Sequence, residues 1–347
     1  MRVEEATADP PSRPGRERLR RWIPAIRVLA SVAILAVLLR KVRLGSLVPE
    51  WDDTTILWLL GGVAVSILAI ALSTVRWQRV LAAMGLPARF RTLFTTYLAC
   101  QFVSSFLPSS IGGDALRVTR LSSRRSRPDA PTPPDAFASV VLDRMSGWLV
   151  LPLLCLAGMV INPALRHLGR SSRVALTVSG VSLAALAAVL TVAASARLGG
   201  RLAGHPSWLR FMGAVHEGIA RIRRRPVAVA EVVAAALCYQ LAIVAAALLA
   251  TRALELHIGL TALLVFVPAV AIVQVLPVSF GGLGVREGAF VLFLHPLGVT
   301  TEHAVALGLT LYAMQVLSSL LGAPSLAIGQ RPRGDAGVSQ DPVVPAA

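Results

Sequence analysis

The chain has 347 residues, of which 55% are hydrophobic and 15% charged, and its formal net charge is +16. A soluble domain carries about 25% charged residues, so this chain lacks the polar surface to cover a water-soluble globule, and its mean hydropathy of +0.68 removes disordered, collagen-like and disulfide-scaffold classes as well. An all-α, polytopic helical membrane protein remains, because the apolar runs are long and continuous where a transmembrane β-barrel shows short alternating segments.

In chain order, residues 1–22 are polar and rich in Pro and Arg, and read as a disordered basic cytoplasmic arm. Ile23–Leu39 is a first span. It lacks a small-x-small cleavage site and reads as a signal anchor. Ile56–Val75 is a second span, followed at once by Arg76 and Trp77 as an interfacial anchor. Thr92–Leu107 is apolar but short, and runs into Pro108 and Gly112-Gly113. Ala136–Ile161 spans despite Asp143 and Arg144, and Val174–Ala196 spans. The basic loop 205–226 carries Trp208, Phe211, Val215, Ile219 and Ile222 at helical spacing, which reads as an amphipathic helix on an anionic leaflet. Val227–Ala250 spans and carries Glu231 near its start. Leu260–Leu276 is again short and runs into Pro277 and Gly281-Gly282. Ala304–Ile328 is the last span, and 329–347 is a short polar cytoplasmic tail.

A helix needs about 20 apolar residues to cross the hydrocarbon. Thr92–Leu107 and Leu260–Leu276 fall short and end at helix breakers, the pattern of re-entrant or broken helices. The expectation is about six full spans in a membrane domain 23–328, with two broken units, 92–117 and 260–287. With both termini cytoplasmic, 24 Lys and Arg lie in inside loops and 8 in outside loops, as the positive-inside rule requires. The count leaves open that each unit is two half-helices that cross together. That distribution also assigns the positive charge to the membrane surface, so no nucleic-acid partner is expected.

Cys100, Cys155 and Cys238 sit in separate apolar runs and read as packed thiols. His216-Glu217 opens like HExxH, but Ala220 stands where the second histidine belongs. No metal, cofactor or catalytic residue is expected.

The two broken units repeat. LPSSIGGDALR ends at Arg117 and LPVSFGGLGVR at Arg286, with Leu, Pro, Ser, Gly, Gly and Arg coinciding without a gap. An odd number of full spans between them makes the repeat inverted, a layout of alternating-access carriers with midplane sites. Their chemistry suits an anion. Ser110, Gly112, Gly113, Ser279, Gly281 and Gly282 offer hydroxyl and backbone donors near a helix start, and Arg117 and Arg286 offer forked guanidinium donors that match phosphate. Arg117 also reads as a snorkelling anchor. Asp114 and Glu287 are supporting charges that would hold the arginines, and Asp143 and Arg144 are further supporting charges, costly inside a span, that face a cavity, pair with a partner or lie near the interface.

Arg76-Trp77, the LPSSIGGDALR segment, Val141-Leu142-Asp143-Arg144 and the LPVSFGGLGVREGA segment resemble the lysylphosphatidylglycerol synthase transmembrane-region family over roughly 23–328. The resemblance implies a bacterial or archaeal membrane domain linked to lipid translocation. In fused members a separate soluble domain performs aminoacyl transfer. The chain is expected to lack it, so no enzyme activity is assigned.

The first functional expectation is a flippase or carrier in the plasma membrane for an anionic phospholipid, aminoacyl-phospholipid or polyprenyl-phosphate lipid. The alternatives are a membrane-embedded glycolipid transferase using Asp143 and Asp114, and a non-transporting scaffold subunit of an envelope-synthesis complex. Expected partners are membrane lipids, with room for a homodimer or an envelope-synthesis protein.

Overall fold

The computed structural model describes residues 52–106, 111–123, 131–195, 209–275 and 284–328. The expected first span, Ile23–Leu39, lies outside them. Among the described residues all regular structure is helical: α1 (Asp53–Ala83), α2 (Phe90–Phe106), α3 (Ile111–Ser122), α4 (Pro133–Ile161), α5 (Arg170–Ala194), α6 (Leu209–Arg223), α7 (Pro226–Ala253), α8 (Leu260–Gln274), α9 (Val285–Leu294), α10 (Thr301–Leu320) and α11 (Ala323–Ile328), with short 3-10 turns after α4 and α9.

Five of these, α1, α4, α5, α7 and α10, are long and apolar enough to cross a membrane. At 1.5 Å per residue, α1 is about 46 Å long and exceeds the hydrocarbon thickness. Their outward faces stay apolar, with Leu57, Leu60, Val160, Val181 and Val227 more than 60% exposed. In water such a belt would drive aggregation; in a bilayer it faces acyl chains. The chain is a multi-pass membrane protein.

Helix starts follow capping chemistry. Asp52 accepts the Thr55 N–H at 2.7 Å to begin α1, and Thr132 with Pro133 and Pro134 begins α4. Gly284, at φ +81°, begins α9, and its N–H donates to Glu287 Oε2 at 2.6 Å. Gly85, at φ +80°, turns the chain after α1.

The long helices pack antiparallel around a central pair. Arg79 near the end of α1 meets Glu231 near the start of α7, while Gly61 near the start of α1 lies against Leu249 near the end of α7. The helix α4 also runs against α1: Trp77 meets Ser139, and Arg76 meets Asp143 and then Gly147.

The short helices form two hairpins. Gly113 at the start of α3 sits against the Cys100 carbonyl and Ser104 near the end of α2, and Leu121 at the far end of α3 packs with Leu93 near the start of α2. In the second hairpin, Phe266 of α8 stacks on Phe293 of α9 at 5.4 Å, while Gln274 and Arg286 converge at the other end. The hairpin α2–α3 enters at the end of the bundle where α1 finishes. The hairpin α8–α9 enters where α7 finishes, which is the opposite end.

Two expectations change here. The last span is not continuous: α10 stops at Leu320 and α11 restarts at Ala323, because Pro324 has no N–H to give the Leu320 carbonyl; Gly322 at the break packs against the Leu98 carbonyl and Phe102. The amphipathic helix forms as α6, but Val215 and Ile219 are buried against Val80, Met84, Ala138, Leu142 and Val232. Its apolar face is taken by protein, and its exposed side carries Arg221 and Arg223, with Arg224 and Arg225 following.

Candidate functional site

The charged residues that the sequence placed inside apolar helices gather in two clusters. The first centres on Asp143, which is fully buried. Its Oδ1 accepts from Arg76 Nε at 2.8 Å, and its Oδ2 accepts from Arg117 Nη2 at 2.8 Å and Arg76 Nη2 at 3.3 Å. Arg117 also faces Asp114 at 3.7 Å, and Asp114 pairs with Arg144 at 2.8 Å. Three helices are tied together: α1 by Arg76, α3 by Arg117 and Asp114, α4 by Asp143 and Arg144.

Aromatic rings line this network. The Arg117 guanidinium lies 4.2 Å from the Trp77 ring centroid and 4.9 Å from that of Tyr97, and Arg76 lies 5.1 Å from that of Tyr239. Ring faces attract the cations where water does not reach them. Trp77 Nε1 donates to Ser139 Oγ at 3.2 Å, which satisfies its polar edge.

The expectation for Arg76 and Trp77 is therefore corrected. They are 5% and 0% exposed and form part of the core, not an interfacial anchor. Interfacial arginine chemistry applies to an unpaired side chain; Asp143, 67 positions away, supplies a buried partner that no local pattern reveals. The expectation for Arg117 changes likewise: its guanidinium is engaged by two carboxylates and two rings, and it is not in the lining of the cavity that Arg286 faces. Gly112 and Gly113 fall in the first turn of α3. Gly113 is there for close packing, because a Cβ would meet the Cys100 carbonyl oxygen at 2.7 Å. Ser110, Ser279, Gly281 and Gly282 lie outside the described residues. Glu231 is half-exposed and pairs with Arg79 at the bundle end.

The second cluster is Arg286 with Glu287. Arg286 donates Nε and Nη2 to Glu287 Oε1 at 3.2 and 3.1 Å, and sits 5.0 Å from the Tyr312 ring centroid. Glu287 is fully buried and also accepts the Gly284 N–H, so one carboxylate caps α9 and aims the arginine. Gly308 of α10 makes room for it: a Cβ there would lie 3.0 Å from Glu287 Cγ.

Arg286 opens onto a cavity of about 200 Å³. Its walls come from the middle of α1 (Ser66 to Ser73), the middle of α7 (Tyr239 to Ala247), α10, and three hairpin helices: α2 with Tyr97 and Gln101, α8 with Gln274, and α9 with Arg286. Arg286 is the one charged residue in this lining among the described residues. Tyr97, Tyr239 and the glutamines were not singled out from the sequence. For Tyr97, Gln101 and Gln274, polar residues in short apolar helices were the available signal.

A family model described as Lysylphosphatidylglycerol synthase TM region matches residues 25–322. The chain belongs to this family. The match covers every residue of both charge clusters and the cavity, and membership connects the protein with membrane lipids. Curated proteins contain no match to the chain. Among the described residues no group of His, Cys, Asp and Glu is arranged to hold a metal ion.

Proposed function

We propose that the protein is a carrier that moves an anionic membrane lipid between leaflets, with the lipid phosphate drawn to Arg286. The observation that carries this reading is a buried arginine facing a mid-bundle cavity into which hairpins from opposite ends both reach. Its volume of about 200 Å³ is below the roughly 300–1,000 Å³ of small-molecule pockets, so it fits a headgroup while the acyl chains stay in the bilayer. Guanidinium pairs with phosphate through forked hydrogen bonds.

The two halves support alternating access. Helices α1 to α4 and α7 to α10 share one order: long helix, short hairpin, long helix. Their leading helices run antiparallel, which favours an inverted repeat with re-entrant hairpins. Arg79, Arg89, Arg91, Arg120, Arg221, Arg223, Arg224 and Arg225 collect at one bundle end, against Arg166, Arg170, Arg173 and Arg252 at the other. The richer end is assigned to the cytoplasm of a bacterial plasma membrane, with both termini there. The carrier reading is favoured over a glycolipid transferase because Asp143, its candidate acid, has both oxygens taken by arginine.

The test is reconstitution of the full chain in liposomes holding a labelled anionic lipid, with sidedness read by a membrane-impermeant quencher. Wild type moves the lipid. Arg286→Ala abolishes movement, and Arg286→Lys, which keeps the charge but loses the fork, leaves a slow residual rate. Movement unchanged in Arg286→Ala discards the site. No movement of any lipid by folded wild-type protein discards the carrier.

A further inference from the structure

The cavity has a second polar feature on a different wall from Arg286. Ser73 Oγ and Tyr97 Oη lie 2.6 Å apart, and both residues line the cavity. Arg76 Nη2 donates to Ser73 Oγ at 3.3 Å. Two hydroxyls hold two protons, and their mutual hydrogen bond uses one. Ser73 Oγ accepts from Arg76 in either ordering, so one hydroxyl proton of the pair has no acceptor among the described residues. A hydrogen-bond chain that begins at a guanidinium polarises each donor along it. The Arg117 cation over the Tyr97 ring, 4.9 Å from its centroid, adds to this field.

Charge counting points the same way. Around the cavity and its backing network stand Arg76, Arg117, Arg144 and Arg286 against Asp114, Asp143 and Glu287. One positive charge is left over, and it lies in the Arg76–Asp143–Arg117 group, since Arg286 is matched by Glu287 and Arg144 by Asp114. An uncompensated buried charge is costly. One negative charge in the cavity offsets it, and among the described residues no carboxylate lines the cavity to receive an ammonium group.

We propose that the Ser73–Tyr97 hydroxyl pair, backed by Arg76, is a second anion-binding pole facing Arg286, and that the two poles select a singly charged phosphodiester headgroup over a phosphomonoester or a zwitterion. This rests on the carrier reading and names its ligand class. The phosphodiester bridges the poles, one oxygen on Arg286 and one on the hydroxyl pair. A phosphomonoester brings a surplus negative charge, and a zwitterion brings an ammonium with no partner.

The experiment uses the purified full chain in detergent and reads melting temperature against added dioctanoyl phosphatidylglycerol, phosphatidic acid or phosphatidylcholine. Wild type is stabilised at lowest concentration by phosphatidylglycerol. Tyr97→Phe keeps the ring on Arg117 but loses the hydroxyl, and raises the half-saturating concentration about tenfold, the value of a hydrogen bond to a charged group. Ser73→Ala cuts the link to Arg76 and raises it severalfold. Equal half-saturation in Tyr97→Phe and Ser73→Ala, each melting without lipid as wild type does, overturns the second pole. A preference for phosphatidic acid or phosphatidylcholine overturns the charge selection. If either result comes with phosphatidylglycerol movement in liposomes that needs Arg286, the carrier reading stands and only this proposal falls. If wild type neither binds nor moves any of the three lipids, both fall.

Discussion

Asp143→Asn isolates the charge network from the cavity. The carboxylate accepts three hydrogen bonds from Arg76 and Arg117 with no water access. Asparagine has the same shape, but one oxygen becomes an NH2 group. That group then faces a guanidinium, donor against donor, whichever way the amide is turned. Two buried cations also lose the negative charge between them. Breaking a buried pair by removing one partner costs about 3–5 kcal/mol. At roughly 2–4 °C per kcal/mol, the melting temperature in detergent falls on the order of 10 °C. Glu231→Gln is the control. Its pair with Arg79 is about half-exposed on both sides, and an exposed pair is worth about 0–1 kcal/mol, so its melting point stays within a few degrees of wild type. An Asp143→Asn protein that melts with the wild type would refute the view that Asp143 holds α1, α3 and α4 together.

Gly113→Val places side-chain carbons against the Cys100 carbonyl and Ser104; the packing of α3 on α2 is lost, and the melting temperature in detergent falls by several degrees. Asp52 at the start of α1 has its carboxyl lowered to about 2 by the Thr54 hydroxyl and then the Thr55 amide. A folded value below the unfolded one stabilises above the ordinary carboxylate range of about 3.9 and loses that effect as pH falls towards 2. Melting curves of wild type and Asp52→Ala therefore differ slightly at pH 6 and converge near pH 2. In a cysteine-free background, His257→Cys is labelled by an impermeant maleimide in intact cells, whereas Arg89→Cys is labelled only after lysis; the reverse pattern inverts the orientation.

The parts legible in the sequence are those set by local patterns. Apolar run length located α4, α5 and α7 to within four residues at each end, since hydropathy alone selects a spanning helix, but α1 runs on past Val75 to Ala83, because the buried Arg76 and Trp77 continue the helix where the hydropathy falls. Pro108 and Pro277 with their glycine pairs marked the ends of α2 and α8, because breakers act through the backbone. The pairing Arg286–Glu287 was legible as adjacent charges in an apolar stretch. Arg76 was misread because its partner lies on another helix, and local sequence around it matches a snorkelling arginine just past a span. Tyr97 and Gln101 were passed over for a similar reason. A tyrosine or glutamine in a helix has no periodic signature, and only the convergence of α1 and α2 opposite α9 makes them part of one cavity.

Arg117 and Arg286 occupy equivalent places in the sequence repeat, yet the fold separates their roles. Arg117 is held between Asp143 and Asp114 with aromatic rings over it, so moving it breaks several contacts at once. Arg286 has a single carboxylate partner next to it in sequence, and its Nη1 has no hydrogen-bond partner among the described residues. A carrier must hold one part of its structure still while another releases ligand, because a ligand shifts a conformational equilibrium only by binding the two states unequally. On the carrier reading, the divergence of the two arginines supplies that difference. The first hairpin is fastened to α1 and α4 by buried charge, whereas the second is held by apolar packing around Phe266 and Phe293 and presents its arginine from the first turn of a short helix whose start, Gly284, is capped by Glu287. On the carrier reading, Arg117 belongs to the fixed wall that also carries Ser73 and Tyr97, and Arg286 is the arginine left to exchange ligand.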